Sequence, residues 1–253
     1  YTSNNEFHDK IYTRYFFGHN IIAVSNGVKD NLYNYFNIPE KYIYVIYNGS
    51  DITHSNIDEK QNVLNKFNLD TNKHIIISVI GRLSRQKGHK YLFDALRLII
   101  CRFSNLKVLL VGDGELREKL NQYVINSGIE NNIIFCRHQE NVAPFIENSL
   151  FTVLPSLWEG LGLAAIESLT LRKPVVAAAV GGLPEVIEHN VNGLLVPPKA
   201  PVELAEAIKI MINNPEKVRE MGKMGELIAK NKFSISAMMN KYMQYYSEIL
   251  SYC

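Results

Sequence analysis

The chain has 253 residues, 47% hydrophobic and 21% charged, which is ample apolar material for a core. A net charge of +2 is too small to mark a nucleic-acid or membrane-surface binder, and no apolar run reaches the length of a membrane span. Cys101, Cys136 and Cys253 are scattered, with neither metal-ligand spacing nor a disulfide framework, which fits a reducing compartment.

A helix is expected over 7–17, a short strand over 21–24, a helix over 28–36 and a strand over 42–47. The first residue is Tyr1, not Met. These first fifty residues read as β-α-β without a full core, so they are expected to be the last part of a preceding domain plus a linker; the alternative is an extension of the main domain. From His74 onward strands and helices alternate regularly. Strands are expected over 75–80, 107–111, 133–136, 150–154, 174–178 and 193–196. Helices are expected over 89–103, 115–126, 142–148, 163–171 and 183–188, then 200–213, 216–230 and 233–252. Continuous apolar strands separated by helices predict an α/β fold, a parallel sheet covered on both faces. Ligands in such folds sit beyond the C-terminal strand ends. Four candidate motifs fall there: 81–88, 112–115, 155–163 and 181–185.

The stretch 155–167 carries the most chemistry. A strand enters it and a helix leaves it, with Gly160 and Gly162 at the helix entrance and Glu159 and Glu167 on either side. A helix start offers unpaired N–H groups and a positive dipole end, so it suits a phosphate. Glycines let a ligand approach the backbone, and Glu167 can accept hydrogen bonds from hydroxyls. Arg82 and Lys87 lie in a strand-to-helix loop and could neutralise a departing diphosphate; the alternative is a solvated basic loop. The two glutamates could be a hydrolytic acid/base pair, but a plain glycosidase needs no cationic cradle. Gly181-Gly182 reads as a pocket-lining backbone or as a tight turn. His138 reads as a contact to a ligand base or as a surface histidine. No Asp-x-Asp pair or His/carboxylate cluster indicates a metal, so neither metal nor other cofactor is expected.

Taken in order, Gly81-Arg82-Leu83 with Lys87-Gly88, Val111-Gly112-Asp113-Gly114, Pro155-Ser156 with Glu159 and Glu167, and Gly181-Gly182-Leu183-Pro184-Glu185 with Asn192-Gly193-Leu194 resemble the group 1 (family 4) retaining glycosyltransferases of the GT-B fold. The resemblance spans roughly 21–230. It implies a Rossmann-like, nucleotide-sugar-binding C-terminal domain over 51–232, an acceptor-side remnant over 1–50, and a crossing helix over 233–253. It further implies that Arg82 and Lys87 hold the diphosphate, Glu167 the ribose, and Glu159 the transferred sugar as the catalytic carboxylate. Backbone amides of Gly160, Leu161, Gly162 and Leu163 would contact phosphate and sugar, and the segment holding His138 would meet the base. Cys136-Arg137-His138 departs from the family pattern there and leaves the base open.

The implied partners are a nucleotide-sugar donor and a saccharide or glycolipid acceptor, and no nucleic acid. The implied setting is the cytoplasm or the inner face of the membrane, any peripheral membrane contact coming through the rest of the acceptor-side domain. The expected activity is a metal-independent retaining hexosyl transfer, with weak donor binding and little transfer by this chain alone. The alternative is a catalytically inactive nucleotide-sugar-binding fragment.

Overall fold

The computed structural model describes residues 20–251; the helix expected over 7–17 lies outside the described residues. Two parallel sheets form. The small one pairs β1 (Ile21–Ala23) with β2 (Ile43–Val45), joined by α1 (Asn26–Phe36) and a 3₁₀ turn, Glu40–Tyr42. It has its own small apolar cluster around Ala23, Ile38 and Ile43.

The large sheet has six strands, all parallel: β3 (Ile75–Ile80), β4 (Leu106–Val111), β5 (Ile133–Arg137), β6 (Thr152–Leu154), β7 (Val175–Ala178) and β8 (Gly193–Val196). Their spatial order is β5-β4-β3-β6-β7-β8. The chain therefore winds outward from β3 in one direction, then returns to the other side of β3 and winds outward again. The crevice between β3 and β6 is the topological switch point of a doubly wound fold, where ligands bind.

The helices cover both faces, as continuous apolar strands require. They are α2 (Ile57–Lys66), α3 (His89–Ile99), α4 (Arg117–Asn126), α5 (Ala143–Glu147), α6 (Leu163–Thr170), α7 (Leu183–Val186), α8 (Pro201–Asn213), α9 (Pro215–Lys232) and α10 (Ile235–Leu250). One apolar layer sets Leu92, Phe93 and Leu96 of α3 and Ile208 and Met211 of α8 against Ile77 and Val108. Another sets Val63 of α2 and Phe145 and Ile146 of α5 against Ile76, Ile80 and Leu109. α2 begins with a capping box, Asn56 and Glu59 bonding each other's backbone. The expected helix over 89–103 stops at Ile99, followed by a turn through Phe103, whose ring stays in the core.

One polar contact crosses the switch point inside the core, and a second ties α6 to it. Ser78 of β3 meets Thr152 of β6 at 3.1 Å, and Ser168 of α6 donates to Thr152 at 2.8 Å. Buried hydroxyls need partners, and these three fix β3, β6 and α6 relative to one another.

The last helix packs back on the first sheet. Tyr245 of α10 lies 4.4 Å from Tyr44 of β2 between ring centroids, and Tyr47 lies 5.3 Å from Phe233. Ile235 N donates to Asp51 at 3.1 Å, and Ser50 N donates to the Phe233 carbonyl at 2.9 Å. Among the described residues no helix is long and apolar enough to cross a membrane.

Candidate functional site

The loops after β3 and β6 flank the switch point and lock together by backbone. Leu157 N donates to the Gln86 carbonyl at 2.7 Å, and Gln86 Nε2 donates to the Trp158 carbonyl at 3.1 Å. Gly88 is left-handed (φ 63°), and a Cβ there would lie 2.1 Å from the Pro155 carbonyl oxygen. Only glycine permits so close an approach.

This contact brings Lys87 to Glu159. Lys87 Nζ sits 2.6 Å from Glu159 Oε2, with both side chains less than a fifth exposed (18% and 13%). Ser156 Oγ donates to the same carboxylate oxygen at 3.2 Å. Next to them α6 begins at Gly162 with no side-chain cap, so its first amides remain open to an anion. A Cβ on Gly162 would lie 3.6 Å from Glu159 Cγ and strike Leu183 at 2.6 Å, so glycine serves packing here as well as access. Gly160 has ordinary room, Leu161 is buried in the core, and Leu163 is exposed at the helix entrance.

Glu167, one turn further along α6, is half-buried, and among the described residues no hydrogen bond or ion pair satisfies its carboxylate. Burial alone raises its pKa above the usual carboxylate value. An unsatisfied, partly desolvated carboxylate is unfavourable for folding, which makes Glu167 a candidate ligand contact.

Arg82 goes elsewhere. The sequence suggested that Arg82 and Lys87 meet one diphosphate, yet their side chains diverge. Arg82 Nε lies 3.3 Å from Glu115, on an arm 73% exposed. The Arg82–Glu115 pair is long and solvated, worth under about 1 kcal/mol, so the arm is free to swing.

Arg82 does share a cavity of about 380 Å³ with His138, Asp113 and Gln139 beyond β3, β4 and β5. A bulge between β4 and β5 and a left-handed Arg137 (φ 62°) turn the chain so that exposed His138 reaches it. Gly81 joins the two parts: a Cβ on it would lie 3.1 Å from Lys87 Cε, and its own residue lines the Arg82 cavity.

Gly181-Gly182 forms a turn with a packing role. Gly182 N donates to the Glu159 carbonyl at 3.3 Å, and a Cβ on Gly181 (φ 53°) would lie 1.7 Å from that oxygen. These glycines let the loop after β7 touch the Glu159 turn, and the Gly182 amide is already engaged.

Sequence reasoning missed the third party to that contact. Ser25 Oγ donates to the Gly160 carbonyl at 2.6 Å and also caps α1. Glu185 of α7 accepts from Asn26 N (2.9 Å), Gly27 N (2.8 Å) and Asn26 Nδ2 (2.8 Å). Ser-Asn-Gly before a helix signals a cap, but nothing local reveals a partner 159 residues away. Among the described residues no group of three or more His, Cys, Asp or Glu side chains is placed to hold a metal ion.

The family model for glycosyl transferases group 1 matches residues 59–227. The chain belongs to the group 1 glycosyltransferases. It is 32% identical over 200 residues to an uncharacterised glycosyltransferase of Methanocaldococcus jannaschii, covering 77% of this chain and 51% of that one. It is 29% identical over 177 residues to the alpha-D-kanosaminyltransferase of Streptomyces kanamyceticus, covering 69% and 46%. The crystal structure of Anabaena HepE in complex with UDP-glucose superposes with a TM-score of 0.88 at 25% identity, over 98% of this chain and 68% of that one. The chain thus spans about half the length of these two curated relatives. The glycosyltransferase fold is the GT-B type, of which the six-stranded sheet is the C-terminal, Rossmann-like half.

Proposed function

We propose that this chain binds a nucleoside-diphosphate sugar at the β3/β6 crevice, as the donor half of a hexosyl transfer with retention to a saccharide or glycolipid acceptor. One observation carries the reading: at the switch point a partly buried Lys87–Glu159 pair, the uncapped start of α6 and the unsatisfied Glu167 lie on adjoining backbone. The UDP-glucose complex of Anabaena HepE supports a uracil nucleotide.

In this reading the diphosphate lies over the amides of Gly162 and Leu163, with Lys87 against it and Arg82 swinging in from Glu115. Positive groups set where charge develops on the leaving group lower the barrier. Glu167 accepts hydrogen bonds from the ribose, and Glu159 orients the transferred sugar, released in part from Lys87 as the phosphates arrive. The Arg82–His138 cavity takes the base. The acceptor attacks on the face that the diphosphate leaves.

The same reading divides the chain into an acceptor-side piece over 1–50, a donor unit over 51–232 and a crossing helix over 233–253. The separate small sheet with its own cluster supports the first boundary. A cytoplasmic setting suits the free thiols of Cys101 and Cys136.

Calorimetric titration with UDP and GDP tests donor binding. UDP should bind, and both Lys87→Ala and Glu167→Ala should weaken it about tenfold or more, the worth of a hydrogen bond to a charged group. Binding of neither nucleotide would refute the assignment. Where transfer occurs, the anomeric configuration of the product by NMR decides retention.

A further inference from the structure

The loops that build the donor crevice also wall a second cavity, of about 420 Å³, separate from the one holding Arg82 and His138. Arg85, Lys90 and Lys199 line it, together with Trp158, Tyr91 and His89. All three cations are exposed. None forms an ion pair among the described residues, and no Asp or Glu lines the cavity. A concavity lined by one sign of charge concentrates ligands of the other.

Another feature points the same way. Helix α3 starts at Gly88 in this cavity with no side-chain cap, leaving first-turn amides for an acceptor group. His89, the first residue of that helix, is only 2% exposed and forms part of the cavity wall.

The walls are not uniformly polar. Trp158 is 51% exposed, an aromatic face beside the charges, and Leu116, Leu120 and Leu157 form an apolar floor. An isolated phosphate would leave that surface unused. A flat membrane would not enter a concavity, and an extended peptide would need a strand edge or groove to pair with its backbone. The volume falls in the range of small-molecule sites, about 300–1,000 Å³.

The geometry points to a binding subsite for an anionic saccharide, a sugar carrying carboxylate, sulfate or phosphate. The ring stacks on Trp158, and the anionic group meets Arg85, Lys90, Lys199 and the start of α3. Trp158 immediately precedes Glu159, so a glycan held here lies along the loop that faces the donor. The subsite goes beyond the donor reading and does not depend on it, because saccharide binding is measurable without nucleotide.

Trp158 is the chain's sole tryptophan, so its fluorescence reports on this cavity directly. The experiment titrates the chain with tetragalacturonate and, separately, with maltotetraose, a neutral oligosaccharide of equal length. Tetragalacturonate should shift Trp158 emission saturably, more weakly as salt rises, and maltotetraose should bind at least about tenfold less well. The Arg85→Ala/Lys199→Ala double variant should lose tetragalacturonate binding about tenfold while its calorimetric UDP isotherm stays that of the parent chain. Because both residues are exposed, the variant should keep its circular dichroism. An equal response to both oligosaccharides, unchanged binding by the double variant, or no response to tetragalacturonate would overturn the subsite. So would a Trp158 response to phosphatidylglycerol vesicles alone, which would mark a lipid surface instead. Failure of UDP binding with tetragalacturonate binding intact would count only against the donor reading.

Discussion

Replacing Glu185 should loosen the join between the two sheets. Its carboxylate accepts three N–H groups at 2.8–2.9 Å, two of them first-turn amides of α1. Burial pushes the Glu185 pKa up, but these bonds, with Tyr47 nearby, outweigh burial and hold it below the ordinary value of 4.5. Hydrogen bonds to a charged group are worth about 1.5–3 kcal/mol each, and a carboxylate at a helix start adds about 0.3–1 kcal/mol. The group is only half-buried and water can replace some of these bonds, so Glu185→Ala should cost about 2–3 kcal/mol and Glu185→Gln about half that. Urea unfolding followed by circular dichroism measures it. A carboxylate with a depressed folded pKa stabilises fully above its unfolded pKa and loses that contribution as pH falls through the folded value. The gap between parent and Glu185→Ala should therefore narrow below pH 4.5. A difference under about 0.5 kcal/mol at neutral pH, or one indifferent to acid, would show that the clamp is geometric only.

Glu167→Gln should stabilise the unliganded chain at pH 7 and weaken UDP binding about tenfold. Its folded pKa is raised by burial, so the ionised form opposes folding; the gain should disappear below the unfolded pKa, near 4.5, in urea midpoints taken across that range. For Lys87 and Glu159, a double-mutant cycle of the two alanine variants should give a coupling of about 1–3 kcal/mol in unfolding experiments, and zero coupling would remove the pair from the argument. His89 is held neutral, its pKa pushed down to about 4 by burial and by Lys87. The unfolded chain binds this proton below about 6.5, so the parent should lose up to about 3 kcal/mol between pH 6.5 and 4 that His89→Gln does not lose.

How far the sequence could carry these conclusions depended on the range of each interaction. β3 and β4 were legible because a buried parallel strand is apolar at nearly every position, as in Ile75–Ile80 and Leu106–Val111. The placement of Glu159 in a turn and of Glu167 on the helix that follows was legible because both are local features of one short stretch. The strand order was not, since no residue of β6 announces that it returns beside β3 rather than beyond β5. The divergence of Arg82 from Lys87 was likewise hidden. Both lie in one loop, but Gly81 and Gly88 bend it so that one side chain points toward Glu115 and the other toward Glu159.

The Ser25–Gly160–Gly182 junction shows where the local code stops and what the stopping point is for. Ser25, Gly160 and Gly182 are unremarkable as separate residues: a cap, a turn and a turn. A Cβ on Gly182 would lie 2.4 Å from the Gly160 carbonyl oxygen and 2.9 Å from Ser25 Cβ, so three loops distant in sequence share one small volume. The same turn presents Glu159 to Lys87 on its side-chain face and its carbonyl to Gly182 on its backbone face. Ser25 bonds the turn that carries Glu159, and Glu185 bonds the start of α1, so the first sheet is fastened to that turn at two points. The proposed donor contacts should therefore be sensitive to the position of the first sheet. A Gly182→Ala chain tests that link: it should impair UDP binding, though residue 182 makes no proposed donor contact, and normal binding would mean that the sheets move independently.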